Sequence, residues 1–596
     1  MTRTCGMSWG AHVRDGGVRY RLWAPAAKRV ATVVFSGGER TVPMQPVGDG
    51  WYECFDAASR AGTRYLYEID GKERVADPAA RFAPEGPRAP CEVIDPSAFG
   101  TREASRVVRA FAEMVFYELH VGTFTADRTY AAAAEHLDEL ADLGVTAIEL
   151  MPLAERPGTF NWGYDGVLLY APAHSYGRPE DLHRFIDAAH ERGLCVFLDV
   201  VYNHFGPQDN YIRSYAPQFF TRKHATPWGE AIDYSSPGNE PVRRFIVENA
   251  AYWICEYGFD GLRLDAAQAI YDEGPTHVLD ELAAEVRRQA GRPVYLVLEN
   301  DNNDAGLLRS SYDAQWNDDV HHCLHVLLTG EGDGYYQDYV DDPIRFLGRA
   351  LTQGFAYQGE ASPFRDGRMR GTPSSGLILT HFVNCLQNHD QIGNRALGER
   401  ITTLAPAEAV RAATAVLLLA PSPPLLFMGE EWASSAPFLF FADFEPGLAR
   451  LVREGRRNEF ARFARFADPA LREAIPDPAA PQTVSRSTLD WDERTRGVHA
   501  EWLALHRTLL QLRQREIVPR IAKATGERAR YQVRGPRGLY ATWQLDDGAT
   551  LILETNLGAR PQRDFAASAP GRNLYATHET FADGTAPPWS VRWSIA

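Results

Sequence analysis

Cysteine is scarce in this sequence, and its spacing excludes a cysteine-based metal cluster. The seven cysteines are scattered along 596 residues, are odd in number and show no CxxC spacing. Isolated cysteines of this kind are typical of reduced thiols in a reducing compartment. Two of them, Cys195 and Cys385, lie in apolar runs and are predicted to be buried in the core.

Long hydrophobic runs and an excess of positive charge are also absent. The longest apolar run, Ala413 to Ala420, is too short to span a bilayer, and prolines follow it. The N-terminal segment contains no apolar stretch of the kind found in secretory signals. The net charge of −16 argues against a nucleic-acid partner, because phosphate binding needs a basic surface. We therefore expect a cytoplasmic protein with no membrane partner and with an uncharged polar substrate.

The length predicts more than one domain, and changes of pattern place the boundaries. Residues 1–105 contain short β-rich segments bounded by Gly, Pro and Asp, such as Val30–Phe35, which predicts an N-terminal, carbohydrate-binding-like β-sandwich. Its aromatic residues could bind a glucan, but packing in the core is the favoured interpretation. Segments such as Leu551–Glu554 predict a C-terminal antiparallel β domain over residues 521–596.

Residues 106–520 show strand-like segments that alternate with helical patterns. Eight strands that alternate with helices predict a closed (β/α)₈ barrel, and the long segments between them predict functional loops at its catalytic face. The predicted strands are 115–120, 145–150, 194–201, 258–265, 294–299, 313–316, 382–386 and 424–427.

The fourth of these strands ends on a carboxylate. Arg263 precedes Asp265 by two positions, and residues two apart in a strand face the same side. Because arginine stays protonated, it is expected to keep the neighbouring Asp265 ionised. An ionised carboxylate at a strand end is a candidate nucleophile. Taken alone, a structural salt bridge is an equally good interpretation.

Polar side chains also follow three other strands. Because the carboxyl ends of barrel strands meet at one face, these groups are expected to converge with Asp265, which favours catalysis over a chance ion pair. Two carboxylates that flank a scissile bond are what glycoside hydrolysis requires. The groups are Asp199 with Asn203 and His204, Glu299 with Asn300, and Asn388 with His389 and Asp390.

Different surroundings suggest different roles for these side chains. Glu299 follows an uninterrupted apolar strand, so desolvation should raise its pKa and suit it to general acid catalysis. Asp390 can hydrogen-bond the sugar hydroxyls and favour a distorted ring. His204 and His389 are expected to donate to the same hydroxyls, and orientation of the acids is the alternative role for both.

These segments resemble the four signature segments of the α-amylase family of glycoside hydrolases in content, order and spacing. The matching stretches are Asp199-Val-Val-Tyr-Asn-His204, Gly261-Leu-Arg-Leu-Asp265, Glu299 and Asn388-His-Asp390. The resemblance implies a retaining enzyme with Asp265 as nucleophile, Glu299 as acid/base and Asp390 as transition-state stabiliser. It also implies a set of residues that hold the glucose at the cleaved linkage, namely Tyr164, His204, Arg263 and His389.

No metal or other cofactor is expected. Asp199 and Asn203 resemble positions that bind calcium in some α-amylases. Hydrogen bonding within the substrate site is the favoured role of Asp199.

Further segments, over nearly the whole chain, resemble one subfamily, the maltooligosyltrehalose trehalohydrolases. They include Phe116-Tyr-Glu-Leu-His-Val-Gly-Thr-Phe124, Trp316-Asn-Asp-Asp-Val-His-His322 and Glu454-Gly-Arg-Arg-Asn-Glu-Phe460. That subfamily hydrolyses the α-1,4 bond next to the terminal trehalose of a maltooligosyl trehalose and releases trehalose. It normally works after maltooligosyltrehalose synthase, which the resemblance therefore implies as a pathway partner.

Contacts to the released trehalose are predicted at Trp228, Asp319 and the loop from Phe355 to Glu360, and loop packing is the alternative for each. Two other functions remain open at this stage. One is a debranching or branching enzyme of the same family. The other is a catalytically silent glucan-binding scaffold, although a scaffold has no need of a complete set of acids.

Overall fold

The structure is a computed structural model, and it describes residues 6–99, 109–461, 468–578 and 580–596. The domain boundary predicted at residues 105–106 lies outside the described residues. Within those four segments, no helix is long and apolar enough to cross a membrane.

The N-terminal domain consists of two antiparallel sheets, as predicted for a β-sandwich. Its aromatic residues mainly form the core: Trp9, Tyr20 and Tyr67 are fully buried. Packing therefore explains most of the aromatic content of this domain. The strands are Gly10–Arg14, Gly17–Trp23, Val30–Phe35, Glu39–Pro43, Gln45–Gly48, Trp51–Asp56, Arg64–Ile69, Glu73–Val75 and Cys91–Glu92.

Eight parallel strands form a closed barrel, which confirms the predicted fold class. The first strand pairs with the eighth, so the sheet has no free edge. The strands are almost entirely buried because helices cover their outer faces, and Cys195 and Cys385 are buried as predicted. In order, the strands are Phe116–Leu119, Ala147–Leu150, Cys195–Val200, Gly261–Leu264, Tyr295–Leu298, Ala314–Trp316, Phe382–Cys385 and Pro424–Phe427.

The helices agree with the predictions in position but differ at two points. The Ala-, Glu- and Leu-rich pattern over residues 130–143 predicts one helix, but it is split because His136 leaves the helical conformation (φ −100°, ψ 6°). The pattern of residues 241–257 predicts another helix, but it is α-helical only to Tyr252 and ends in a π-turn before Gly258, which adopts a left-handed conformation (φ +88°). The helices are Val121–Phe124, Tyr130–Ala134, Leu137–Leu143, Pro179–Glu191, Ile212–Tyr215, Glu240–Tyr252, Val278–Ala290, Asp318–Thr329, Pro343–Gln353, His389–Gly393, Ile401–Leu404, Ala407–Leu419, Pro446–Phe460, Pro469–Glu473, Pro481–Ser487 and Gly497–Leu512.

Long loops follow the carboxyl ends of the strands and contain small hairpins. One hairpin pairs Ala154–Glu155 with Leu168–Pro172, and another pairs Phe220–Ala225 with Glu230–Ile232. Trp228 lies in the turn of the second hairpin. A third hairpin pairs Glu360–Ala361 with Met369–Arg370.

The C-terminal domain is a five-stranded antiparallel sheet that packs on the barrel. The indole N–H of Trp593 donates to the Ala415 carbonyl oxygen over 3.0 Å, and the indole N–H of Trp543 donates to the Leu351 carbonyl oxygen over 3.1 Å. The apolar run in helix Ala407–Leu419 is thus buried between barrel and sheet. The strands are Ala529–Arg534, Gly538–Gln544, Thr550–Asn556, Arg572–Ala576 and Ser590–Ile595.

Candidate active site

Carboxylates from three neighbouring strand ends meet around the buried guanidinium of Arg263. Its Nη1 lies 3.0 Å from Asp265 Oδ1 and 2.5 Å from Asp199 Oδ2. Its Nη2 lies 2.6 Å from Glu299 Oε2. The guanidinium stacks on the ring of Trp316, with its central carbon 4.1 Å from the ring centroid. One cation therefore holds Asp265 and Glu299 side by side.

Both oxygens of Asp265 accept hydrogen bonds, which fixes the orientation of the carboxylate. Oδ1 accepts from Arg263, and Oδ2 accepts from Asn203 Nδ2 over 2.9 Å. The next residue, Ala266, has a left-handed backbone (φ +38°), which is strained for a residue with a β-carbon. This turn directs the Ala266 N–H to Glu299 Oε2 over 2.8 Å, so the strain also helps to position the second acid.

The other two predicted acids lie in different surroundings. Burial raises the pKa of Glu299 above its usual value, and the Arg263 charge opposes that shift. This is the direction expected of a general acid. Asp390 keeps 43% of its side-chain surface exposed, so a substrate can reach its carboxylate. The surrounding cleft still removes enough water to raise its pKa, against the charge of His389.

Tyr164, His389 and Asp199 form a hydrogen-bonded group beside Arg263. The Tyr164 ring stacks on the imidazole of His389 with centroids 5.1 Å apart, and the Tyr164 hydroxyl donates to Asp199 Oδ2 over 2.6 Å. Burial raises the pKa of Asp199 to about 7, against the pull of Arg263. Burial would lower the pKa of His389, but the carboxylate of Glu118 reverses this and raises it to about 9.

His204 and Trp228 lie together on the same face. Their rings stack with centroids 5.8 Å apart at 28°. Burial lowers the pKa of His204 to about 4, so the imidazole is neutral at pH 7. Trp228 is 50% exposed and presents a flat apolar surface to the solvent. A contact between Trp228 and the substrate stays a prediction.

Asp319 is not accessible to a substrate, which corrects its assignment as a direct contact. The residue is 0% exposed, and its carboxylate accepts from the Tyr339 hydroxyl, from Asn303 Nδ2 (2.8 Å) and from the Ala356 N–H (2.6 Å). The first residues of the predicted loop, Phe355, Ala356 and Tyr357, are also buried. Asp319 holds this loop in place.

The neighbouring Asp318 is the acid that sequence reasoning missed. It is partly exposed and lies in the first turn of the helix that follows the sixth strand. Burial and the negative charges of Glu299, Asp301 and Asp390 raise its pKa well above the usual value. Successive residues in a helix point about 100° apart, so only one of two adjacent acids can face the cleft. No pattern in the sequence indicates which of Asp318 and Asp319 faces the cleft.

Two aromatic residues on the rim were also missed. Tyr335 and Phe364 are 37% and 43% exposed, and their rings meet edge to face with centroids 6.3 Å apart. Burial raises the pKa of Tyr335, and the charges of Asp390 and Asp318 raise it further. Both residues lie in 3-10 turns, Gly334–Asp338 and Pro363–Arg365, which are too short for periodicity to be informative.

The positions that resemble calcium ligands are used for hydrogen bonding. Asp199 contacts Arg263 and Tyr164, and Asn203 contacts Asp265. Within the described part of the chain, no group of three His, Cys, Asp or Glu side chains is arranged to hold a metal ion.

Family models match three parts of the chain. Residues 8–83 match carbohydrate-binding module 48, the isoamylase N-terminal domain. Residues 129–228 match the alpha amylase catalytic domain. Residues 526–593 match a domain of unknown function, DUF3459.

Several solved structures resemble this one. A crystal structure from Salmonella typhimurium, provisionally named an alpha amylase, superposes with a TM-score of 0.92 at 42% identity, covering 99% of this chain and 100% of that one. A pullulanase from Anoxybacillus in complex with maltotetraose superposes with a TM-score of 0.72 at 16% identity, covering 100% of this chain and 88% of that one, and shows the fold alone.

Relatives of known name match most of the chain. Malto-oligosyltrehalose trehalohydrolase of Deinococcus radiodurans is 45% identical over 84% of this chain and 82% of its own. The proteins of the same name from Rhizobium and Saccharolobus solfataricus are 42% and 38% identical, over 84% and 85% of this chain and 85% and 87% of their own. At this identity and coverage, the chain belongs to the malto-oligosyltrehalose trehalohydrolase family.

Proposed function

We propose that this protein is a retaining glycoside hydrolase that releases trehalose from maltooligosyl trehalose by cleaving the adjacent α-1,4-glucosidic bond. The observation that carries the proposal is the contact of Asp265 and Glu299 with the two terminal nitrogens of one guanidinium, that of Arg263. Two adjacent carboxyl groups suit a double displacement, in which they stand about 5–5.5 Å apart. Membership in the trehalohydrolase family supplies the substrate.

Asp265 and Glu299 carry out the two displacements. Glu299 donates its proton to the glycosidic oxygen while Asp265 Oδ attacks the anomeric carbon, so trehalose leaves and a glucosyl ester forms. Glu299, now a carboxylate, then takes a proton from water, whose oxygen attacks the same carbon and breaks the ester. Each group returns to its starting state, and the configuration at the anomeric carbon is retained.

The surrounding residues hold the sugar on each side of the cleaved bond. Tyr164 and His389 bind the glucose that is attacked, and Asp390 stabilises its distorted ring. Trp228 offers an exposed indole next to His204, where it stacks on the leaving trehalose.

The family's usual pathway places this enzyme after maltooligosyltrehalose synthase, which makes the α,α-1,1 linkage. Work in the cytoplasm is consistent with the thiols, since Cys54, Cys91, Cys323 and Cys385 are free.

Incubation with maltotriosyl trehalose and with maltopentaose tests the proposal. Trehalose and maltotriose should form from the first substrate, with slow cleavage of the second. A branched glucan is the third substrate, and preferred cleavage of its α-1,6 branch points would overturn the proposal and favour a debranching enzyme. Asp265→Asn, which keeps the shape of the side chain, separates catalysis from binding: it should abolish turnover and leave glucan binding intact. Binding by a wild type that never shows turnover would identify a scaffold.

A further inference from the structure

Two glutamates stand side by side inside the barrel and have opposite environments. Glu118 of the first strand and Glu149 of the second are in register, and each is 1% exposed. Both carboxyl oxygens of Glu118 accept hydrogen bonds from His389. Neither oxygen of Glu149 has a hydrogen-bond partner. The contrast shows that Glu118 has a specific task at His389 that Glu149 does not share.

Glu118 binds His389 through two atoms. Oε1 lies 2.5 Å from Nδ1 of the imidazole, and Oε2 accepts from the His389 backbone N–H over 3.1 Å. On the other side of the ring, Nε2 lies 2.9 Å from the hydroxyl oxygen of Tyr164. The imidazole therefore bridges the buried carboxylate and the edge of the cleft.

The protons along this chain of contacts can be counted. Tyr164 has one hydroxyl proton, which it donates to Asp199 Oδ2, an oxygen that also accepts from Arg263. The contact between His389 Nε2 and Tyr164 therefore needs its proton from the imidazole. Nδ1 must also carry a proton, because it faces a carboxylate. Both ring nitrogens are donors only in the imidazolium form.

We infer that Glu118 is a positioning residue for the reaction: it holds His389 as an imidazolium whose Nε2–H points to Tyr164 and the sugar site. The inference rests on the proposed function only in using turnover as one of its two readouts. A charged donor binds oxygen more strongly than a neutral one, so Glu118 strengthens the hold on the distorted sugar of the transition state from beneath the site.

The charges around His389 agree with this assignment. Glu118 raises the pKa of His389 to about 9, so the imidazole carries protons on both nitrogens at neutral pH. The titratable and charged groups that face His389, directly or through Tyr164, are Glu118, His120, Glu149, Tyr164, Asp199, Arg263, Glu299 and Asp390.

Glu118→Gln tests the inference, because a glutamine side chain has one acceptor oxygen for the two donors of His389. The kcat should fall about 10–100-fold, the size of effect known for loss of the carboxylate that orients a metal-binding histidine. The KM should change less than threefold. In the wild type His389 keeps its charge up to about pH 9, so the variant's alkaline limb should move to lower pH as His389 loses its charge earlier. Glu118→Asp keeps the charge and should recover part of both effects.

The pH dependence of Tm is a second readout that needs no activity. The pKa of His389 is raised in the folded protein, so its contribution to stability is complete below about pH 6.5 and is lost as the pH rises through about 9. This loss should disappear in Glu118→Gln. If that variant does not fold, Glu118→Asp should show a smaller shift of the alkaline limb in the same direction.

Glu149→Gln is the matched control, because it changes a buried glutamate on the adjacent strand that has no hydrogen-bond partner. It should keep the wild-type kcat and pH profile within twofold. The inference is overturned if Glu118→Gln lowers Tm but leaves the pH profile and the slope of Tm against pH unchanged, or if Glu149→Gln shifts them equally. A wild type that releases no trehalose contradicts the proposed function instead, and the Tm comparison then still tests Glu118.

Discussion

Arg263 and Trp316 face each other at van der Waals distance, with the guanidinium carbon 4.1 Å above the indole centroid. The indole covers the flat face of the cation and leaves its edges free for hydrogen bonds. Those edges are what bind Asp199, Asp265 and Glu299. The orientation of the acids thus depends on an aromatic residue that carries no chemistry of its own.

Trp316→Leu should impair both stability and turnover. Loss of a buried cation–π contact costs about 1–2 kcal/mol, and the tilted guanidinium should lower kcat/KM about tenfold or more. Thermal unfolding and steady-state kinetics measure the two effects. Trp316→Phe keeps an aromatic face and should lie between Leu and the wild type. Equal kcat/KM in Leu and Phe variants would contradict this role.

The loss of activity in Glu299→Gln should depend on whether the leaving group of the substrate needs a proton. With maltotriosyl trehalose the leaving oxygen needs a proton, so kcat should fall about 10²–10⁴-fold. With a maltooligosyl fluoride, whose leaving group needs no proton, formation of the glucosyl ester should be much less affected. Burial raises the pKa of Glu299, so the wild type should stay active to higher pH than an ordinary glutamate would allow. Its activity should fall at the pH where Glu299 loses its proton. Equal losses on both substrates would contradict a general acid.

Asp318→Asn should have nearly wild-type activity. Burial and the adjacent negative charges raise the pKa of Asp318 well above its usual range, which favours the neutral carboxylic acid, a donor and acceptor as an amide is. We expect kcat/KM within about threefold of the wild type. Asp318→Leu, which cannot hydrogen-bond, should lose about tenfold, equivalent to about 1–1.5 kcal/mol. A large loss in the Asn variant would show that the ionised carboxylate is needed.

Asp319→Ala should act on stability. Arg370, 3.3 Å from Asp319, would remain buried with less of its charge compensated. Breaking a buried pair in this way costs about 3–5 kcal/mol, so Tm should fall by several degrees. Chemical denaturation measures the change. Asp301, which also contacts Arg370, should reduce the loss.

Trp228→Ala should weaken substrate binding and leave stability unchanged, in contrast to Asp319→Ala. The side chain is half exposed and lies in a hairpin turn, so Tm should stay within about a degree of the wild type. Loss of the stacking surface should raise KM for maltotriosyl trehalose about tenfold and leave KM for maltopentaose less changed. Kinetics with both substrates distinguish the outcomes. An unchanged ratio would place Trp228 outside the trehalose site.

The sequence predicted the barrel and the principal acids because both depend on local patterns. An apolar run that ends on a carboxylate is visible along the chain, and closure of the barrel brings such ends together, as it does for Asp265 and Glu299. The partner of His389 was not predictable in this way. Glu118 lies 271 positions away and reads only as a residue of a buried strand. Nothing along the chain distinguishes it from Glu149, because hydrogen bonding across the barrel makes the difference.

The choice between Asp318 and Asp319 failed for another reason. A helix begins at this point, and its rotation decides which of the two acids faces the cleft. A shift of the helix start by one residue would exchange them. The break at His136 is similar, since the Ala-rich and Leu-rich segments on either side both favour a helix.

The C-terminal sheet has a consequence for how the enzyme can be dissected. Trp543 and Trp593 stack on each other with centroids 5.5 Å apart and anchor the sheet to helices of the barrel. Removing the sheet would expose the apolar face of helix Ala407–Leu419 to water, and this exposed surface would promote aggregation of the truncated chains. We therefore expect the catalytic barrel to be unstable without the C-terminal sheet, and truncated variants should retain this sheet through its last strand, Ser590–Ile595.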